Sequence, residues 1–172
     1  MELLTLVDTE DRVIGSIEKA QAHQAPTLHR AFSVFLYDGD RMLLQKRNQN
    51  KYHSGGLWTN ACCSHPRFGE TLEEAVPRRL REEVGCAPEV REIFDFVYCA
   101  QFRDDLWEYE YDHVFLGLCK ELYHFDPQEA EDSCWMSFDE LRQQLVEQPR
   151  KFTPWFLIAA PRVLDFLSSF QG

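Results

Sequence analysis

Glu70-Thr71-Leu72-Glu73-Glu74-Ala75-Val76-Pro77-Arg78-Arg79-Leu80-Arg81-Glu82-Glu83-Val84-Gly85 is the stretch whose reading decides the fold. Thr71-Leu72-Glu73-Glu74 has the form of a capping box, in which the Thr71 hydroxyl accepts from the Glu74 N–H and the Glu74 carboxylate reaches back. Gly85 supplies the stop. At about 100° per residue, Leu72, Ala75, Val76, Leu80 and Val84 make one apolar arc of a helix. Glu83 and Arg79 fall inside that arc. A carboxylate facing a core is costly unless a cation or donors meet it. Two readings follow: a Glu83–Arg79 pair at i, i+4 spacing, or a metal or phosphate site under the helix. Pro77 removes the bond to the Glu73 carbonyl and predicts a kink.

Immediately upstream stands Trp58-Thr59-Asn60-Ala61-Cys62-Cys63-Ser64-His65-Pro66. Trp58 to Cys63 reads as extended, and Pro66 keeps His65 out of helical geometry. In an extended chain Ala61, Cys63 and His65 point one way, while Cys62 and Ser64 point the other. Cys63 and His65 can therefore share a pocket, although a buried inert cysteine is the plainer reading. Arg47 to Ser54 is a basic, polar loop carrying Arg47, Lys51 and His53, closed by Gly55-Gly56. By itself such a loop reads as solvated surface.

Further out, Leu3 to Val7 and Val13 to Ile17 predict a β-hairpin. Ala31 to Tyr37 is a strand, Asp38-Gly39-Asp40 a turn, and Met42 to Lys46 is expected to pair back. Ile93 to Phe102 is a strand with Phe94, Phe96, Tyr98 and Ala100 on one face. Leu106 to Cys119 is a longer strand, on which Glu108, Glu110 and Asp112 share a face with Val114, Leu116 and Leu118. Carboxylates at i, i+2 lie about 7 Å apart. They read either as an exposed edge or, since their face continues as core, as buried acids needing a cation or a retained proton. Cys134 to Met136 is a short strand. Ser137-Phe138-Asp139-Glu140 is a second capping box, opening a helix to about Glu147. Pro154 begins the last helix at its first position.

The chain's 172 residues suit a single domain over 1–172, and 44% hydrophobic with 13% aromatic content is globular. A formal net charge of −11 argues against a nucleic-acid partner. It leaves an anionic small molecule open, because local Arg and Lys can outweigh a global balance. No stretch has the apolar length of a membrane helix, and the N-terminus lacks a signal-peptide pattern. The six cysteines include no C-x-x-C pair, so a reduced, cytoplasmic protein away from membranes is expected.

Glu70, Arg78, Leu80, Glu82, Glu83 and Gly85 together resemble the second half of the Nudix box, a loop–helix that binds a divalent cation to a diphosphate. Two positions depart: the box glycine ahead of the first glutamate falls at Ser64, and the glutamate after the arginine is replaced by Arg79. Both departures match one Nudix branch. Thr59-Asn60-Ala61-Cys62-Cys63-Ser64-His65-Pro66 resembles the signature of the type 1 isopentenyl-diphosphate delta-isomerases. Glu18-Lys19 and His23, Leu28-His29, Arg47, Lys51, Tyr98, Glu108-x-Glu110 and Pro154-Trp155 agree in order, so the resemblance runs from about Lys19 to Trp155.

The resemblance implies an α+β fold, the Nudix-type α/β/α sandwich with a mixed sheet flanked by helices. It implies one divalent metal, Mn²⁺ or Zn²⁺, at His23, His29, His65, Glu108 and Glu110. It further implies a Mg²⁺ at Glu83 bridging the substrate diphosphate. Lys19, Arg47, Lys51, Ser64 and Arg79 would bind that diphosphate. Cys63 and Glu110 would exchange protons with an isoprenoid chain, Tyr98 would hydrogen-bond near the carboxylate, and Trp155 would face the cation. The expected partner is an isoprenoid diphosphate and the expected assembly a monomer or weak homodimer. Two rivals stay open: a Nudix pyrophosphohydrolase using Glu70, Glu82 and Glu83, and a non-catalytic module that binds metal and diphosphate.

Overall fold

A computed structural model describes residues 2–171. The chain opens with a hairpin of β1 (Leu3–Val7) and β2 (Val13–Glu18), closed by Asp8, whose carboxylate accepts from the Glu10 and Arg12 N–H groups at 2.9 and 3.0 Å. A six-residue helix that the sequence reading lacked, α1 (Lys19–Gln24), follows at once. Then come β3 (His29–Asp38), β4 (Arg41–Arg47), β5 (Trp58–Thr59), β6 (Cys62–Ser64) and α2 (Leu72–Glu83). The chain finishes with β7 (Arg91–Arg103), β8 (Leu106–Leu118), β9 (Ala130–Ser137), α3 (Phe138–Glu147) and α4 (Pro154–Gln171).

The strands form one mixed sheet. β3 runs parallel to β8, from His29↔Glu110 to Tyr37↔Leu118, and the other pairings are antiparallel. The expected β3–β4 hairpin holds only at its base, where Tyr37 meets Met42 and Asp38 meets Arg41. Beyond that the two strands part. β3 takes β6 and β8 as neighbours, and β4 takes β5 and β9. The segment from Trp58 to Ser64 thus threads the gap, pairing first with β4 and then with β3. This split in the sheet places the cysteine–histidine stretch at the centre of the molecule.

Alternation along β3 sends its side chains to two cores. Val34 and Leu36 pack with Ala75, Val76, Leu80 and Val84 of α2. Phe35 packs with Phe156, Ala159, Ala160 and Val163 of α4, its ring stacked on Phe156 at 5.7 Å. The sheet is therefore sandwiched between helices. Each fully buried residue of this size contributes about 1.5–3 kcal/mol.

Helix α2 is capped as its sequence predicts: the Glu74 N–H donates to the Thr71 hydroxyl at 3.2 Å. The Glu74 carboxylate meets that same hydroxyl at 3.0 Å. The helix continues through Pro77, the site of the expected kink. A proline there forfeits a single hydrogen bond, and the buried neighbours Val76 and Leu80 pin the chain on either side. The Val84 and Gly85 N–H groups both return to the Leu80 carbonyl, at 2.8 and 3.0 Å, and Gly85 has φ +79. A Cβ at Gly85 would lie 2.7 Å from the His124 carbonyl oxygen, so both backbone and space require glycine.

On β8, Glu108, Glu110 and Asp112 are buried with Val114 and Leu116, as the shared face predicts. Leu118 is 44% exposed, contrary to expectation. Alternation fixes where a side chain points, not whether anything covers it.

Candidate active site

Five of the sequence-predicted residues meet at one end of the β3–β8 pair. Parallel register sets His29 beside Glu110, α1 brings His23, and the end of β6 brings His65. His65 Nε2 lies 2.9 Å from Glu110 Oε2 and His29 Nε2 3.5 Å from it, while His23 Nε2 is 4.0 Å from Glu108 Oε2. One ring nitrogen from each of the three histidines lies within 4.8 Å of the others.

The donor set fits a divalent cation. His23 Nδ1 is 2.7 Å from the Lys19 carbonyl and His29 Nδ1 2.9 Å from the Thr27 carbonyl. A carbonyl only accepts, so each Nδ1 carries the hydrogen and each Nε2 is turned inward. His29 Nε2 is buried with no hydrogen-bond partner among the described residues. Burial holds His65 and His23 below the ordinary imidazole range, which keeps lone pairs available. Burial also pushes His29 down, but Glu110 outweighs it and leaves His29 raised. Glu110 shows the converse: burial pushes it up, and His29 outweighs that and holds it low. Another histidine–carboxylate group contrasts with this one. His113 faces a carboxylate through both nitrogens, Asp11 at 2.8 Å and Glu92 on the other side, so its ring bridges two acids.

Cys63 stands on the sheet face shared with His65. Its thiol donates to Asn60 Oδ1 at 3.2 Å and accepts from the Trp155 indole N–H at 3.1 Å. Asn60 is itself fixed, donating to the Val34 and Cys62 carbonyls at 3.0 and 2.8 Å. Burial pushes the Cys63 thiol up to about 12, so it holds its proton at neutral pH. Cys63, Glu110 and Trp155 line one cavity, together with Asp112, Arg47 and His53.

Cys62 and Ser64 face the other way, toward α2. The Cys62 thiol donates to Glu83 Oε2 at 2.6 Å, and Arg79 Nη2 donates to Glu83 Oε1 at 2.8 Å. Arg79 also donates to Ser64 Oγ at 2.9 Å and pairs with Glu82. The Glu83–Arg79 pair expected from helical spacing is thus present, with Glu83 only 3% exposed. Burial pushes Glu83 up to about 7, against the opposing pull of Arg79. Glu70 forks onto Arg78 at 2.7 and 2.8 Å, locking the loop to the helix.

The cations are arranged unevenly. Arg47 is buried, its guanidinium 5.2 Å from the Trp155 ring centroid, and its Nε has no hydrogen-bond partner among the described residues. Lys51 pairs with Glu129, a carboxylate absent from the sequence reading. Lys19 lines the cavity with its amine 4.0 Å from Glu2.

Tyr98 departs from expectation. It is the cross-strand neighbour of Glu110, yet its buried hydroxyl has no hydrogen-bond partner among the described residues, where a bond near the carboxylate was expected. The β7–β8 register brings the two backbones together, but a tyrosine's hydroxyl lies well beyond its Cβ, and the ring instead stands edge-to-face to Trp155 at 6.3 Å. Two residues at the site escaped the sequence reading. His53 contacts Glu108 at 2.7 Å. Asp112, known as a buried acid but given no partner, accepts from the Ser33 hydroxyl at 2.8 Å, and burial beside Glu110 pushes it well above the carboxylate range. The basic loop's single imidazole carried no periodic signal; the Glu108–Glu110–Asp112 alternation did point to the third acid.

The NUDIX domain family matches residues 27–156. A protein of Serratia proteamaculans named isopentenyl-diphosphate Delta-isomerase is 46% identical over 157 residues, covering 91% of this chain and 88% of its own. One of the same name from Burkholderia multivorans is 48% identical over 162 residues, covering 90% and 89%. Among solved structures, a Deinococcus radiodurans protein superposes with TM-score 0.69 at 22% identity, covering 86% of this chain and 90% of that one. The MutT protein from Methanosarcina mazei gives 0.65 at 17%, covering 82% and 95%; both share the fold.

Proposed function

The chain belongs to the Nudix family and, within it, to the isopentenyl-diphosphate Delta-isomerases, and from that premise we propose how its residues divide the reaction. The reaction interconverts isopentenyl and dimethylallyl diphosphate and serves isoprenoid biosynthesis. A proton is added to the terminal alkene carbon, leaving a tertiary carbocation, and a proton is lost from C2. An alkene is a very poor base, so the donor must be close, oriented and shielded from water.

Cys63 and Glu110 are the proton-transferring pair. The observation that carries this reading is the Cys63 thiol held between the Trp155 N–H and the Asn60 carbonyl, in the cavity that Glu110 also lines. A thiol pushed up to about 12 carries the proton that this chemistry needs. The Trp155 ring contributes a π face for the cation. Tyr98, edge-to-face with Trp155, helps hold that ring in place. The diphosphate takes the cationic part of the same cavity, with Lys19, Arg47, Lys51, Ser64 and Arg79 as its partners. Among these, Lys51 and Arg79 exchange their contacts with Glu129 and Glu83 for phosphate oxygens.

His23, His29, His65, Glu108 and Glu110 suit Mn²⁺ or Zn²⁺, and Glu83 suits Mg²⁺. Bound there, these ions supply positive charge, lowering the proton affinity of Glu110 and neutralising the diphosphate. We further take the chain to act as one domain over residues 1–172, in the cytoplasm, as a monomer or weak homodimer. Among the described residues no helix is long and apolar enough to cross a membrane.

Hydrolysis is the competing reading, and Arg79 argues against it. It stands where a hydrolase needs an acid, and it ties up Glu82 and Glu83. The test is incubation with isopentenyl diphosphate, Mg²⁺ and Mn²⁺. Dimethylallyl diphosphate is the expected product, and release of phosphate in its place would overturn the reading.

A further inference from the structure

The loop between β4 and β5 delivers a fourth imidazole, His53, that the proposed reaction leaves unused. The His53 side chain is 2% exposed. Its ring lies flat on Phe102, with centroids 4.3 Å apart and planes 7° from parallel. Trp155 and Tyr52 stand edge-on to it at 5.9 and 4.5 Å. Its backbone carbonyl accepts from Arg47 Nη2 at 3.2 Å. Packing on every side thus fixes the ring, whose Nε2 reaches Glu108 Oε2 at 2.7 Å. That nitrogen is buried and has no aligned hydrogen-bond partner among the described residues.

The two ring nitrogens of His53 face different chemistry from those of His23 and His29. His53 Nδ1 lies 3.2 Å from the Ser54 hydroxyl, which can donate. Its Nε2 faces a carboxylate oxygen, which can only accept once ionised. With the Ser54 hydroxyl free to donate to Nδ1, the hydrogen is left to Nε2, beside that carboxylate oxygen but not aligned on it. His23 and His29 carry theirs on Nδ1, against backbone carbonyls. His53 thus abuts an acid through Nε2, as His65 meets Glu110, whereas His23 and His29 are anchored through Nδ1. Its ring centre is also 6.5 Å from that of His23, and its nitrogens stand outside the converging group.

We propose that His53 is a positioning residue: its ring, fixed by packing, abuts the Glu108 carboxylate and limits the orientations in which that carboxylate serves the histidine cluster. The inference rests on the assignment of Glu108 to a metal site. Outer partners of this kind change metal affinity by about 10–100-fold.

The test measures Zn²⁺ affinity by chelator competition on the purified full-length chain, together with the visible spectrum of the Co²⁺-loaded form. His53→Ala should weaken Zn²⁺ binding about 10–100-fold with the stoichiometry unchanged. His53→Gln, which restores an N–H near the same oxygen, should recover most of the loss. Co²⁺ band positions should stay fixed in both, because no ligand is exchanged. In a Glu108→Ala background, the further change His53→Ala should have no effect. Unaltered affinity in His53→Ala overturns the proposal, as does an equal His53 effect with Glu108 already removed. Shifted Co²⁺ bands would make His53 a ligand and overturn it too. Failure of the unmutated chain to bind Zn²⁺ or Co²⁺ removes the metal-site reading itself, a result distinct from the others.

Discussion

Cys62 and Cys63 are adjacent residues with the same functional group and opposite surroundings. Cys63 meets an indole N–H, an amide oxygen and a cavity, while Cys62 is fully buried against the Glu83 carboxylate. The alternation of a single three-residue strand separates them. The Cys63 side carries an aromatic wall, buried imidazoles and acids, with the Arg47 guanidinium over Trp155. The Cys62 side carries Arg79, Ser64 and a carboxylate that can take a cation. Groups from both sides line one cavity, so the comparison teaches that a single strand can set reacting groups and an anion anchor a few ångströms apart around one substrate.

The largest effect should come from the carbon side. Cys63→Ser keeps the shape but replaces a transferable proton with a much weaker acid. Its kcat should fall about 10²–10⁴-fold. Glu110→Gln should match that loss and also release the metal, measured by elemental analysis after dialysis. Glu82→Gln should do far less, since Glu82 is half-exposed and engaged only with Arg78 and Arg79. If Glu82→Gln were the more damaging change, the helix acids would be activating water, and the division between the two faces would collapse.

Effects on the charged side should be intermediate and read out in KM. Arg47→Ala and Lys51→Ala should raise KM for isopentenyl diphosphate with little change in kcat. The penalty should shrink as ionic strength rises, because screening weakens the wild-type attraction. Steady-state kinetics at about 20 mM and 500 mM salt, roughly twofold either side of a 10 Å Debye length, would check it. Insensitive variants would return the loop to ordinary solvated surface. The smallest effect belongs to Cys62→Ser, which retains a donor to Glu83 and should keep most activity. Cys62→Val removes that donor beside a buried carboxylate and should lower the melting temperature, with a cost of about 1–3 kcal/mol.

How much of this was legible in the sequence depended on how local each signal was. Helix α2, the Thr71 and Ser137 N-caps and the facing of Cys62 and Cys63 follow from neighbours a few residues apart, and the structure keeps them, although neither glutamate returns to the cap residue's N–H among the described residues. The five members of the histidine–glutamate cluster came through the family resemblance, since no spacing rule brings His23 to Glu108. What escaped was distant or short. Helix α1 has six residues, too few for a periodic pattern. The parting of β3 and β4 depends on which remote strands fill the gap. Lys51 finds Glu129 across 78 positions, and His53 is a lone imidazole in a polar loop. The Tyr98 expectation failed because the reach of a tyrosine's hydroxyl is decided by the packing around it.

The most direct measurement is a map of where an electrophilic substrate analogue, an epoxide of the isoprenoid diphosphate, attaches to the protein. Cys63 lines the cavity and Cys62 does not. Because burial pushes the Cys63 thiol up to about 12, labelling should quicken about tenfold per pH unit across the neutral range. Peptide mapping should find the label on Cys63, with turnover lost in proportion and isopentenyl diphosphate protecting. A label on Cys62 with Cys63 free, or full turnover in protein labelled at Cys63, would contradict the account.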